Sequence, residues 1–398
     1  MDNRRTFLAA AGAVLAACAK KKDAEPDAEP SRLGKPLKAY GERASFEKAA
    51  RLTPTTKQME NGSTRTPLAE QHGIITPSSL HFERHHSGVP EIDPARHTLT
   101  IHGMVDRPLV FTMDDLKRLP SVSRIHFIEC SGNSGGEWGK KNAADVQRGF
   151  GLASCSEWTG VPLSLLLAEA GVQKGAKWLH AEGADACKMT RSIPIEKALK
   201  DILLAYGQNG EALRPEQGYP LRLMVPGWEG NVNVKWVHRI KLSDQPQYAR
   251  DETSHYTDLM ADGTARIFTF DMDAKSVITS PSGGQKIGSK GFYEIRGLAW
   301  SGRGRIEKVE VTLDGGKSWK PAQLDEVRHK QAFTRFRLPW TWDGTETTVA
   351  SRATDDTGYV QPLVPDLVTV RGKNSQYHNN GIKFWQVTAD GSVKNVEA

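Results

Sequence analysis

Cysteine is scarce: four in 398 residues, at Cys18, Cys130, Cys155 and Cys187. None belongs to a Cys-x-x-Cys or Cys-x-x-Cys-His pattern, which excludes a c-type haem in this chain and argues against a zinc ribbon or an iron–sulfur site. Beyond Cys18 the count is odd, so in an oxidising compartment at least one thiol is unpaired or bound to something else. A long apolar run is also lacking. Thr6 to Ala17 is apolar and small but too short for a bilayer core of ~30 Å, which takes about 20 helical residues. A concentrated basic surface is missing too. Arg4, Arg5, Lys20, Lys21 and Lys22 against Asp2 carry +4 of the net +6, and the balanced remainder argues against nucleic acid as a partner. Finally, no βαβ rhythm appears, which speaks against a nucleotide-binding sheet.

What is present begins with an export signal. Asn3-Arg4-Arg5-Thr6-Phe7-Leu8 resembles the twin-arginine pattern, so residues 1–22 read as a signal that sends an already folded protein to the periplasm. Leu15-Ala16-Ala17-Cys18 also resembles a lipobox. Lipidation at Cys18 and simple cleavage nearby both stay open. Residues 23–65, rich in Ala, Glu, Pro, Lys and Thr, read as a linker or an extended arm.

Two domains follow. Over 66–265 strands are expected at Arg96–Val105, Val122–Glu129, Leu221–Pro226 and Val234–Leu242, with helices at Thr112–Leu119 and Pro162–Ala170. This mixture is α+β. Over 266–372 the chain is nearly all strand and turn: Phe292–Trp300, Ile306–Leu313, Thr334–Leu338, Thr347–Ala353 and Leu367–Val370. About seven short strands in ~100 residues indicate an all-β immunoglobulin-like sandwich, with Trp300, Trp319, Trp340 and Trp342 in its core and edges. Residues 373–398 read as a C-terminal tail.

The chemistry centres on Phe127-Ile128-Glu129-Cys130-Ser131-Gly132-Asn133, where a strand delivers a cysteine into a loop of small residues. Alone, that fits a buried thiol as well as a metal ligand. His81 and His85, four apart, lack a clear carboxylate or cysteine partner for zinc. Cys155 and Cys187 could pair or stay free.

Other stretches add to the loop. Phe82-Glu83-Arg84-His85-His86 lies upstream; Glu182-Gly183-Ala184-Asp185, Gln217 to Gly227 and Asn233-Val234-Lys235-Trp236 lie downstream. In this order they resemble the sulfite oxidase family of molybdenum enzymes, over about Leu80 to Arg371. The resemblance implies that Cys130 is the protein ligand to molybdenum, a soft thiolate on a redox metal. It implies that Phe82, Arg84, His85, His86, Asp185, Gln217, Arg222, Asn233, Val234 and Lys235 grip the pterin, with Arg222 and Lys235 at its phosphate. Gln217 stands where animal members have histidine. Tyr256 and Arg371, with Arg84, would surround the reacting oxygen. Members that oxidise free sulfite carry arginines just after the cysteine loop; here Ser134-Gly135-Gly136 stands there, leaving room. This resembles the sulfane dehydrogenase branch, whose substrate is a persulfide on a carrier protein's arm. A separate c-type cytochrome would take the electrons, and the second domain would form a homodimer, giving a heterotetramer. The alternatives are a sulfite:cytochrome c oxidoreductase and, from another class, a non-enzymatic binding or adhesion protein.

Overall fold

Alternation shapes the first sheet. In the strand Val122–Glu129, Phe127 and Glu129 point to one side, while Ile128 and the following Cys130 point to the other. Its last four residues are all buried, because both faces are covered. The strand pairs antiparallel with Ala153–Pro162, from Val122 opposite Gly160 to Glu129 opposite Ala153. Leu203–Gln208 and Glu211–Ala212 continue the sheet, and Arg222–Met224 also pairs with Leu203–Gln208. The structure is a computed structural model and describes residues 36–53, 60–139, 143–260, 262–372 and 374–396. The export signal at 1–22 and Cys18 lie outside the described residues.

A second sheet runs Leu109–Thr112, Thr98–Gly103, Val237–Ser243, Trp178–Gly183, Thr190–Pro194. Its central strand is parallel to Thr98–Gly103 and antiparallel to Trp178–Gly183. Helix Met113–Arg118 starts at a capping box: the Asp115 N–H donates to Thr112 Oγ1 at 3.1 Å and the Thr112 N–H to Asp115 Oδ2 at 2.9 Å. Helix Leu163–Ala170 ends at Gly171, whose φ of +73° only glycine adopts cheaply. Leu166 and Leu167 of that helix, with Ile195 of helix Ile195–Lys200, join Leu99, Ile101, Leu204 and Ile240 in one apolar core.

The C-terminal region is mostly β: two antiparallel sheets. One contains Lys275–Ser280, Gly291–Trp300, Thr334–Trp342 and Gln323–Leu324; the other contains Lys320–Pro321, Ile306–Thr312, Thr347–Asp355, Phe384–Val387 and Val393–Val396. Ile295, Leu298 and Phe336 meet Val309, Val349 and Trp385 between them. Trp300, Trp340 and Trp342 are buried there as expected, and Trp319 packs beside Phe384.

Three expectations need correcting. Leu367–Val370 is not a strand but part of helix Val364–Arg371, which has proline in its first turn and buries Leu367 and Arg371, four apart. Residues 373–398 are not a loose tail: Phe384–Val387 pairs with Thr347–Asp355, and Val393–Val396 pairs with Phe384–Val387. The boundary expected near 265 does not interrupt packing. Phe127, Val146, Phe150 and Cys155 share one core with Trp300 and Phe333, so one side of the cysteine strand rests on the second region. Residues 36–48 form a unit of their own with no helix or strand among those described. From Ala49 the arm joins the body, with Leu52 bridged to Arg65 and the Thr66 N–H donating to the Gly151 carbonyl at 2.8 Å.

Candidate active site

Cys130 sits where its strand ends and lines a cleft. Its N–H donates to the Leu152 carbonyl at 3.0 Å and its own carbonyl accepts from the Asn133 N–H at 2.9 Å, so the loop turns tightly around the sulfur. Burial pushes the thiol above its ordinary pKa. A metal must therefore displace a proton to bind there. Cys155 is buried and Cys187 partly exposed; neither is in a disulfide. No group of three or more His, Cys, Asp or Glu side chains is arranged for a metal among the described residues.

The cleft brings together Phe82, Arg84, His85, His86, Cys130, Asp185, Gln217, Arg222, Asn233, Val234, Lys235 and Tyr256. All come from the expected list. Two short segments, Gly62–Ser63 and Arg84–His85, pair to seat the upstream motif. His85 is fixed from both sides: Lys235 Nζ donates to its Nδ1 at 2.8 Å, and its Nε2 lies 2.8 Å from Glu83 Oε2. Burial, then Lys235, keeps its pKa low, so the ring is a neutral bridge. Gln217 Nε2 donates to the Phe82 carbonyl at 2.9 Å, which ties the upstream motif to the Arg222 turn. Asn233 spends its side chain on the backbone, accepting from the Val225 N–H at 2.7 Å. Asp185 accepts from the Met189 N–H at 3.2 Å and from Cys187 Sγ at 2.8 Å. Only glycine fits at 183, where a Cβ would lie 2.7 Å from the Lys235 carbonyl.

The two inner cations test whether a pterin phosphate belongs here. Arg222 is buried, donating to the carbonyls of Gln217 at 2.9 Å and Asn233 at 3.1 Å, while its Nε has no partner. Lys235 donates to the Arg84 carbonyl at 3.1 Å, the Glu216 carbonyl at 3.2 Å and His85. Neither contacts a carboxylate. Burial lowers Arg222 to about 9; burial and then Arg222 lower Lys235 to about 7. Two desolvated cations with no carboxylate in contact are costly unless an anion binds, and a phosphate supplies that anion. The residues fit the group. Lys235→Met is therefore expected to weaken cofactor retention about 10- to 100-fold, the worth of one charge-assisted hydrogen bond. Molybdenum and pterin content after gel filtration checks this. A bound phosphate raises the lysine's pKa above its empty-site value, so binding takes up a proton and retention should fall as pH rises above about 7. Lys235→Met should lose that pH dependence.

The mouth of the cleft is less cationic than expected. Arg84 donates to Asn61 Oδ1 at 2.9 Å and to the His85 carbonyl, both neutral. His86 Nε2 lies 3.2 Å from the Tyr256 hydroxyl; burial, then Arg84, lowers its pKa to about 4, so it is neutral at pH 7. Burial raises the Tyr256 phenol, which stays protonated. Arg371 does not line the cleft. It is buried against two carboxylates, 3.1 Å from Asp273 Oδ2 and 3.9 Å from Asp258 Oδ2. Ser134-Gly135-Gly136 does not leave open room either. Ser134 is buried with its Oγ donating to the Asn379 carbonyl at 2.8 Å, and a Cβ on Gly135 would lie 3.0 Å from the Gln376 carbonyl.

Sequence reasoning missed four groups here. Arg191, fully buried, lies with its guanidinium 4.9 Å from the Tyr256 ring centre and pairs with Glu229 at 3.0 Å and Glu252 at 3.5 Å. Although burial opposes its charge, Arg191 and His378 hold the Glu229 carboxyl below the usual range. Lys275 pairs with Glu129 directly behind Cys130. Tyr377 reaches the Cys130 loop from the C-terminal region, its ring centre 5.6 Å from that of Tyr256. A charged residue ending an apolar strand was the one available signal, at Glu129. The other partners arrive from distant segments and left none.

The comparisons agree with this arrangement. The family described as the oxidoreductase molybdopterin binding domain matches residues 86–250, and the Mo-co oxidoreductase dimerisation domain matches 266–384. The chain is 31% identical over 350 residues to an NADH nitrate reductase of Ulva prolifera, covering 77% of this chain and 40% of that protein. It is 32% identical over 356 residues to NADH nitrate reductase 1 of Arabidopsis thaliana, covering 81% and 38%. It thus spans about two fifths of the length of these curated relatives. The crystal structure of the sulfane dehydrogenase SoxCD from Paracoccus pantotrophus matches at 49% identity and a TM-score of 0.90, covering 92% of this chain and 96% of that one. A buried thiol in a shared cleft, two inner cations with no carboxylate in contact and these matches lead to one conclusion: the chain belongs to the sulfite oxidase family of molybdenum oxidoreductases, with a molybdenum-molybdopterin cofactor.

Proposed function

We propose that this oxidoreductase acts on sulfane sulfur held on a carrier protein rather than on free sulfite. One observation carries the reading: Arg191 and Arg371 are each paired with two carboxylates and neither lines the cleft, so among the described lining residues Arg84 is the cation outside the inner pair that meets only neutral partners. Sulfite at neutral pH carries up to two charges and would have to shed tightly held water to meet one arginine. A persulfide on a peptide arm brings at most one charge. Its likeness to the sulfane dehydrogenase of Paracoccus pantotrophus supports the same reading.

When bound, the cofactor supplies two-electron oxygen-atom chemistry. The residues of this chain do the rest. Cys130 would hold the metal, Arg84 would face developing negative charge on the substrate, and Tyr256 would donate a hydrogen bond while His86 stays neutral beside it. Each round takes one oxygen from water and releases two electrons and two protons. Three rounds convert the terminal sulfur of a persulfide into an S-sulfonate, R–S–SO3⁻, with six electrons passed singly to a c-type cytochrome subunit. We place the enzyme in the periplasm, exported by the twin-arginine route. Its second region is read as an immunoglobulin-like sandwich that pairs two copies, consistent with its match to a dimerisation domain.

Steady-state turnover of a carrier-bound persulfide and of sulfite tests the reading. The carrier substrate should be favoured about tenfold or more in kcat/KM, the worth of one missing bidentate partner. Faster turnover of free sulfite, with no need of a carrier, would sink it.

A further inference from the structure

We propose that Tyr377 is a specificity-determining residue, forming with Tyr256 an aromatic passage over the Cys130 loop that grips an extended peptide arm and disfavours a small hydrated anion. The inference rests on the carrier reading above and adds the residue that enforces it.

Tyr377 is held firmly. On its C-terminal side the His378 N–H donates to the Ser131 carbonyl at 2.8 Å, and the Asn379 carbonyl accepts from Ser134 Oγ at 2.8 Å. His378 Nε2 lies 3.3 Å from Glu229 Oε2, and Asn380 Nδ2 donates to the Ala274 carbonyl at 3.0 Å. His378 also adopts φ +55°, a left-handed conformation that a residue with a Cβ pays to adopt. These bonds fix the segment against the loop that carries Cys130, and the strained turn sits directly beside Tyr377.

The ring's place follows from Gly132. A Cβ built on that glycine would lie 3.9 Å from Cys130 Sγ and 3.9 Å from Tyr377 Cδ1, so a single backbone position separates the sulfur from the ring. Beyond Tyr377 the rings continue: Tyr256 at 5.6 Å, then His255 at 6.4 Å from Tyr256, then His86 at 6.4 Å from His255. Glu229 and Asp258 bring negative charge near Tyr377, and Arg84 brings positive. Such a rim offers flat apolar faces to peptide groups and little to repay an anion's lost water.

The test uses the cofactor-loaded enzyme, a capped pentapeptide with a central cysteine persulfide, sodium sulfite and an artificial electron acceptor. Tyr377→Ala should raise the peptide KM about tenfold with kcat little changed, while Tyr377→Phe stays within about twofold because the ring is kept. Tyr377→Arg should lower the KM for sulfite. Molybdenum content and the Mo(V) resonance spectrum should not move in any variant, which separates recognition from a structural defect. An unchanged peptide KM in Tyr377→Ala overturns the proposal. So does a Phe variant as impaired as Ala, which would move the role to the hydroxyl, or an equal loss on both substrates with an altered spectrum. If the unsubstituted enzyme itself prefers sulfite, the carrier reading fails and this proposal with it. If it prefers the peptide and Tyr377→Ala behaves like it, only the role of Tyr377 fails.

Discussion

Cys130→Ser will keep the fold and the pterin grip but lose turnover by about 10³-fold or more, a barrier increase of about 4 kcal/mol. Serine preserves the geometry that places the atom: the N–H to Leu152 and the carbonyl to Asn133 are backbone bonds and survive the change. The inner cations, Arg222 and Lys235, are untouched. What changes is the donor. A thiol ionises within reach of neutral pH once a metal displaces its proton, whereas an alcohol does not, and the hard oxygen it offers poorly suits a redox-active metal. Burial already pushes the Cys130 thiol up, so a still weaker acid there has no route to ligation. Two measurements check this together: steady-state turnover, and the number of sulfur neighbours of molybdenum by X-ray absorption, which should fall by one. Activity within tenfold of the parent enzyme would remove Cys130 from its role.

Local chemistry made much of the fold legible. The strand Val122–Glu129 appears with the bounds its β-rich run suggests, and the helix expected over Thr112–Leu119 is Met113–Arg118, with Thr112 as its cap. Helix Leu163–Ala170 ends at Gly171. The failures have physical causes. Val364 to Arg371 contains three valines and a threonine, which favour strands locally, yet burial of Leu367 and Arg371 on one side makes it a helix. The last strand pair was readable in principle, since Phe384–Val387 and Val393–Val396 flank an Asp390-Gly391 turn.

The candidate site divides differently. The residues expected at the pterin occur in short motifs, so their joint identity survives in sequence, and all of them line one cleft. Its mouth does not. Ser134-Gly135-Gly136 would leave room at the mouth only if neighbours of Cys130 in sequence were also its neighbours in space. The backbone turns away instead, with Ser134 at φ +57°, and packs the stretch under residues 374–380. The substrate preference inferred from those glycines finds its support elsewhere, in carboxylates that neutralise Arg191 and Arg371. Charge pairing across 100 residues leaves no local pattern to read.

Lys275→Met should be the most damaging single change to stability, lowering it by about 3–5 kcal/mol. Lys275 and Glu129 are both fully buried, 2.5 Å apart. The carboxylate also accepts from Trp300 Nε1 at 2.7 Å and Asn133 Nδ2 at 2.9 Å, while Lys275 Nζ donates to Ser134 Oγ at 3.1 Å. Removing the cation leaves Glu129 desolvated beside neutral donors, and that stranded charge is the source of the cost. Adding Glu129→Gln should therefore restore a large part of the loss, since the amide keeps an acceptor for Trp300 and carries no charge. Additive losses in the double variant, measured by denaturant unfolding of the cofactor-free protein, would refute a stranded charge. The position of the pair carries the damage to function. Glu129 precedes Cys130, and Lys275 and Trp300 belong to the second region, so the pair fastens the Cys130 loop to the region that also holds Tyr377. Lys275→Met should thus loosen the floor and the rim of the cleft together, and its turnover should fall even at temperatures where the protein remains folded.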